Sequence, residues 1–196
     1  MASQKIIDYY DQNSESLGQR YELSSFEEIH KSILHFLSPP PKRILDIGAG
    51  SGRDAAWFSN YGYQVTAIDP SIKLIEFAKH AHREKIDWKI DRLPKLHTVR
   101  KNIFDIVFVN AVFMHLNKKE IEQSLQIIHN LLSNEGLLIV SIKSEKLKDT
   151  FLFFDVDITH FTNCCLSLGL KILFQTSESD VYGRQNVTWH RLVFQK

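Results

Sequence analysis

Ile44-Leu45-Asp46-Ile47-Gly48-Ala49-Gly50-Ser51-Gly52-Arg53-Asp54 is the stretch on which the fold turns. A short apolar run carrying one acid breaks into three glycines spaced two apart, and Ala55-Ala56-Trp57-Phe58 then reads as helix. Strand, tight turn and helix start follow in that order, with glycines where a backbone bends sharply or approaches a ligand closely. The N–H groups of the turn and the positive end of the helix dipole are expected to face whatever binds.

Upstream, Pro39-Pro40-Pro41 ends a helix expected over residues 25–37, whose apolar positions Phe26, Ile29, Ile33, Leu34 and Leu37 recur at threes and fours. Ser25 and Glu28 have the spacing of a capping box. A weaker amphipathic helix spans residues 4–17. Downstream, a strand over 64–68 ends in Asp69-Pro70, and Ser71 caps a helix over 72–83. Strands over 86–90, 104–109 and 137–142 alternate with an Asn117-capped helix ending near residue 132. One more helix (158–168) and two strands (170–174 and 187–194) close the chain. This alternation predicts an α/β, doubly wound parallel sheet with helices on both faces and an antiparallel hairpin at one edge. Ligands of such sheets bind beyond the carboxyl ends of the strands, which here means the glycine turn, Asp69, Asp91 and residues 110–115.

With 196 residues, 43% hydrophobic and 24% charged, the composition is that of a soluble domain. The expected organisation is a single domain over 1–196, with a helical cap or lid in 1–41 and a core in 42–196. A net charge of +1 gives no global attraction to nucleic acid or an acidic membrane. Adjacent Cys164 and Cys165 match neither zinc-ligand nor redox spacing, so they are expected to be small buried or half-buried thiols, with no metal. No opening signal peptide and no apolar run of membrane length is read, so a cytoplasmic monomer or homodimer is expected.

The turn admits two cofactor readings. A dinucleotide fingerprint needs its third glycine where Arg53 stands. Asp69, about twenty residues on, suits the ribose of any adenosine-bearing cofactor. Asp46 discriminates: an acid facing the cofactor repels a pyrophosphate and suits an ammonium or sulfonium, which favours a cationic methionine moiety.

Residues 44–52 resemble the first motif of the class I S-adenosylmethionine-dependent methyltransferases. Val65-Thr66-Ala67-Ile68-Asp69-Pro70-Ser71 is similar to the motif that follows, Phe104-Asp105-Ile106-Val107 to the fourth-strand motif, and residues 131–140 to the family's helix, turn and fifth strand. The resemblance implies a Rossmann-like seven-stranded sheet, order 3-2-1-4-5-7-6 with strand 7 antiparallel. It implies methylation with S-adenosyl-L-methionine as cofactor and S-adenosyl-L-homocysteine as product. By the same resemblance Gly48, Ala49 and Gly50 line the methionine, and Asp69 with Pro70 takes the ribose. Asp91 meets the adenine amine with Arg92 and Leu93 beside the ring, and Asn110 and Ala111 lie under the methyl end. Asp54 either points into the pocket or is a first-turn acid stabilised by the dipole. Tyr10 and Arg20 are either a lid, with Arg20 on the methionine carboxylate, or packing and surface links.

The methyl acceptor is less constrained. Asn110-Ala111-Val112-Phe113 lacks both prolines of the motif that amino-methylating DNA enzymes carry after the fourth strand. A small-molecule acceptor is therefore expected, with nucleic acid disfavoured. An RNA or protein methyltransferase, or a non-catalytic S-adenosylmethionine-binding module, are the alternatives. His115 is the candidate catalytic base, its other reading being a histidine held in its loop. Residues 180–189 resemble a segment of small bacterial methyltransferases; Arg184 and Trp189 in it either face the acceptor or build the hairpin.

Overall fold

The computed structural model describes residues 4–37, 39–40, 42–99, 103–145 and 152–196. In chain order come α1 (Gln4–Gln12), α2 (Ser14–Tyr21), α3 (Phe26–His30), β1 (Arg43–Ile47), α4 (Arg53–Asn60), β2 (Gln64–Asp69), α5 (Ile72–Ala81), β3 (Ile86–Ile90), β4 (Phe104–Asn110), α6 (Lys118–Leu131), β5 (Leu132–Glu145), α7 (Ile158–Ser167), β6 (Lys171–Ser179) and β7 (Val187–Gln195). Among the described residues seven strands form one sheet in the order β3-β2-β1-β4-β5-β7-β6, as the family resemblance implies. β1 lies between β2 and β4, parallel to both, and β7 runs antiparallel to β5 and β6.

Period-two alternation along β1 feeds two cores. Leu45 and Ile47 pack with Leu125, Ile128 and Phe161 from α6 and α7. Ile44, on the opposite face, packs with Phe26, Ile33, Phe58 and Phe108. α1 and α2 lie across α5. Asp11 fixes α1 there, its Oδ1 accepting from the Ser71 hydroxyl at 2.6 Å and the Lys73 N–H at 3.0 Å. Among the described residues no helix is long and apolar enough to cross a membrane.

β5 is longer than the strand expected over 137–142, and three other elements differ from expectation for identifiable physical reasons. The helix expected over 4–17 is broken at Asn13, whose side chain donates to the Tyr9 carbonyl at 2.8 Å and competes with the helical ladder. The helix expected over 25–37 starts with the capping box but tightens to a 3₁₀ turn at Lys31–Phe36. The Ile29 carbonyl there accepts from Arg191 Nη2 at 2.8 Å. β6 runs to Ser179 rather than stopping at 174, because an edge strand need not be apolar: Gln175, Ser177 and Ser179 are exposed.

Candidate functional site

A cavity of about 630 Å³ opens at the carboxyl ends of β1, β2 and β4. α1 and α2 cover it from one side through Tyr10, Arg20 and Tyr21, and the β6–β7 connection from another through Asp180, Tyr182 and Arg184. Gly48, Ala49, Gly50, Asp54, Asp69, Pro70, Asp91, Arg92, Leu93, Asn110, Ala111 and His115 all line it, as does Trp189.

Gly48, Gly50 and Gly52 all take positive φ, at 75°, 57° and 87°. At Gly48 space adds to the conformational demand: a Cβ there would sit 2.3 Å from Val112 Cγ2, so glycine lets the loop after β4 close on the turn. Four of the turn's N–H groups are engaged within the protein. Gly48 and Ala49 both donate to the Ile68 carbonyl, at 2.8 and 3.0 Å. Gly50 donates to Asp69 Oδ2 at 3.0 Å and Gly52 to the Ala49 carbonyl at 2.9 Å. The first three donors stitch the turn to β2, and the fourth closes the turn on itself.

Asp46 is also not where the cofactor argument put it. It shares the Ile44 face of β1, is 1% exposed and does not line the cavity. Burial, then the Asp54 and Asp69 carboxylates, pushes its pKa well above the usual range, which disfavours the charged form there. Its Oδ2 has no partner among the described residues. Asp69 does reach the wall. Its Oδ1 accepts from Ser71 N–H at 2.8 Å and its Oδ2 from Gly50 N–H. Burial outweighs these two bonds and lifts the carboxyl to about 6.

Asp54 is the hub of a buried network. Arg53 donates to its Oδ1 through Nε and lies 2.7 Å away through Nη2. Oδ2 is met by His30 Nε2 at 3.1 Å and Asn110 Nδ2 at 3.0 Å. Burial alone would raise this carboxyl, but Arg53 and then His30 outweigh it and hold it below the carboxylate range. Arg191 completes the network from β7, through Ser141 Oγ at 2.5 Å and His30 Nδ1 at 3.5 Å. A guanidinium only donates, so His30 Nδ1 accepts and its proton sits on Nε2, facing Asp54. Burial lowers the His30 pKa and keeps it neutral. Arg53 also ties α2 to the turn, donating to the Tyr21 carbonyl at 2.8 Å. Sequence reasoning missed Arg53, His30, Ser141 and Arg191 in this role. The available signal was Arg191 itself, a lone cation inside the apolar run of β7.

At the end of β4, Asn110 spends its amide N–H on Asp54 while its Oδ1, buried, has no partner among the described residues. Ala111 follows at φ 59°, an uncommon conformation for a residue with a Cβ, held by its N–H to the Ser141 carbonyl at 2.9 Å. His115 faces the Leu152 carbonyl through Nδ1 at 2.7 Å. A carbonyl only accepts, so Nδ1 carries the proton and Nε2 accepts from the Tyr10 hydroxyl at 3.1 Å. Burial, reinforced by the Lys143 charge, outweighs the Leu152 bond and lowers the His115 pKa. Phe153 stacks on the imidazole at 5.3 Å, and Lys143 Nζ lies 4.2 Å from the Phe153 ring centre.

The remaining candidates are tied down to different degrees. Asp91 serves its own loop: Oδ1 accepts from Arg92 N–H at 2.8 Å, and Oδ2 from the Thr98 N–H and hydroxyl, both at 2.6 Å. Arg20 is exposed, its guanidinium 5.6 Å from the Tyr21 ring centre. Arg184 grips Asp180 through Nε and Nη2 at 2.9 and 2.6 Å, and the Trp189 indole donates to the same carboxylate at 2.9 Å. The hairpin reading of Trp189 thus has a physical basis, and Arg184 has a carboxylate partner within the protein.

Comparison with known proteins agrees with this architecture. A family model described as a methyltransferase domain matches residues 45–140, about half of the chain. The chain belongs to the class I S-adenosylmethionine-dependent methyltransferases. A putative methyltransferase of Geobacillus sp. (strain WCH70) is 24% identical over 145 residues, covering 69% of this chain and 59% of that protein. The ubiquinone biosynthesis O-methyltransferase of Rickettsia typhi is 32% identical over 130 residues, covering 64% and 50%. The chain therefore spans about half the length of the curated relatives it matches. Magnesium protoporphyrin IX methyltransferase from Synechocystis PCC 6803, solved with bound S-adenosylhomocysteine, superposes with a TM-score of 0.81 over 100% of both chains at 14% identity, a likeness of fold. The family's cofactor is S-adenosylmethionine. The residues present fit it: the cavity holds a buried acid at the end of β2, and Asn110 on its wall carries an unpartnered oxygen.

Proposed function

We propose that this protein transfers a methyl group from S-adenosylmethionine to a small-molecule acceptor. The observation that carries this reading is a pairing within one cavity. Asp69 is a buried acid that accepts from two N–H groups among the described residues, and His115 is a neutral imidazole whose Nε2 lone pair is covered by a displaceable tyrosine hydroxyl.

In this reading Asp69 accepts the ribose hydroxyls, with Pro70 beside it. Asp91, Arg92 and Leu93 border the adenine. Gly48, Ala49 and Gly50 lie along the methionine; with the N–H groups of these three residues spent, they suit a ligand group that donates, such as the ammonium. Asn110 Oδ1 and Ala111 lie under the methyl end, Arg20 takes the carboxylate, and Tyr10 closes the roof. The bound cofactor supplies a methyl group on a sulfonium, a leaving group that is already activated. The protein's share is alignment and exclusion of water. Where the acceptor must lose a proton, His115 Nε2 takes it once the Tyr10 hydroxyl yields its place, while the Leu152 carbonyl fixes the tautomer. A small acceptor is supported by the roofed cavity and by the O-methyltransferase relative named for ubiquinone biosynthesis.

Calorimetry with S-adenosylhomocysteine tests the cofactor half: the wild type binds, and Asp69→Ala weakens binding. No binding by the wild type would refute the proposal. For the acceptor half, methyl-labelled cofactor is incubated with a cell extract, and label is expected in the low-mass fraction; label confined to RNA or protein would replace the small acceptor. His115→Ala should keep cofactor affinity and lower transfer by about 10²–10⁴-fold if the histidine is the base.

A further inference from the structure

α6 and α7 meet at a surface where three donor atoms of different chemistry converge: Glu122 from α6, and His160 and Cys164 from α7. The i, i+4 spacing puts His160 and Cys164 on one helical face. His160 Nε2 is 2.9 Å from Glu122 Oε1 and 3.4 Å from Cys164 Sγ, and all three atoms lie within 4.8 Å of one another. None of the three lines the cavity described above.

A single proton on Nε2 serves this arrangement poorly. If Nε2 carries it, the bond goes to Glu122 and the thiol cannot donate to the ring. If Nε2 is bare, it can accept from the thiol but then faces the carboxylate lone pair to lone pair. One cation satisfies all three. Zinc about 2.3 Å from sulfur and about 2.0–2.2 Å from nitrogen or oxygen sets its tetrahedral ligand atoms roughly 3.3–3.6 Å apart. The two measured separations lie within a few tenths of an ångström of that range.

We propose that Glu122, His160 and Cys164 form a zinc-class divalent metal site that clasps α7 to α6, with water in the fourth position. The donor set of thiolate, imidazole and carboxylate is the borderline-soft mixture that suits zinc rather than magnesium or calcium. Binding exchanges the thiol proton for the metal: the S–H bond breaks, a Zn–S bond forms, and the proton goes to solvent. Thiolate and carboxylate together then cancel the ion's two charges. No sequence motif announces the site, because one ligand comes from another helix and Cys165 points into the core.

Cobalt(II) titration of the full reduced chain tests it. A thiolate-to-cobalt charge-transfer band in the near ultraviolet is expected, saturating at one equivalent and absent in Cys164→Ser. His160→Ala and Glu122→Ala should weaken binding by more than the roughly 10- to 100-fold that losing an outer-shell partner costs. Zinc at a hundredfold excess over Kd should raise the wild-type Tm by roughly 5–10 °C, and the Tm of Cys164→Ser by much less. No band at saturating cobalt, or a band that survives in Cys164→Ser, would overturn the site. These side chains are half-buried or exposed, so the variants fold.

Discussion

Asp54 and Asp69 line the same cavity and are each 6% exposed, yet their carboxyls are displaced in opposite directions. Burial pushes both upward; what separates them is the number and charge of the donors. Asp54 meets the Arg53 guanidinium, His30 and Asn110, whereas Asp69 meets two backbone N–H groups. The first is a completed structural joint between α3, α4 and β4. The second retains acceptor capacity on a cavity wall, as a ligand site requires.

The largest effect should come from breaking the joint. Asp54→Ala leaves the half-buried Arg53 guanidinium without its acid and His30 Nε2 and Asn110 Nδ2 without their acceptor, while Arg191 keeps Glu178 at 3.5 Å, and should cost about 3–5 kcal/mol in urea unfolding. A loss below about 1 kcal/mol would mean that Asp54 is not a structural centre. The pH dependences have opposite signs. The folded Asp54 carboxyl is depressed below 3.8, so its stabilisation is present above that pH and is lost as pH falls through the folded value. The Asp69 carboxyl is raised, so its contribution is present below 3.8 and is lost as pH rises through about 6.

Asp69→Ala should sharpen the contrast from the other side. Removing one charged acceptor should weaken S-adenosylhomocysteine binding by about 10- to 100-fold in calorimetry, with urea stability unchanged or slightly raised. Equal losses of stability and affinity would put Asp69 in the same class as Asp54. Cofactor affinity should also follow the Asp69 charge, falling by up to about tenfold per pH unit below 6 and levelling off above it. In Asp69→Asn that slope should vanish.

The legible parts of this protein are those written locally. β1 and its turn, the Ser71 and Asn117 caps, and the Asp69-Pro70 strand end are contiguous in sequence, and the sheet order follows from them by resemblance. The hub was not legible, because His30, Asp54, Ser141 and Arg191 are joined only by the fold. Asp46 is legible as a residue of the strand, but which face of β1 it takes, and that it is buried there, depends on the packing of α3 and α4. That β2 takes the Gly48, Ala49 and Gly50 donors is likewise set by the fold and not by the glycine spacing.

The smallest effect belongs to the roof. The Tyr10–His115 bond joins two neutral groups, and such a bond is worth about 1 kcal/mol net, against several for the charged contacts of Asp54. Tyr10→Phe should therefore lower urea stability by no more than about 1 kcal/mol. It also removes the donor that competes for the Nε2 lone pair, so the His115 pKa should move up toward its ordinary value, as followed by the imidazole NMR shifts. If Tyr10 is only a cover, transfer persists in this variant and cofactor affinity drops a few-fold at most. If transfer collapses while affinity holds, the hydroxyl belongs to the proton path, and the roof is chemically part of the site it closes.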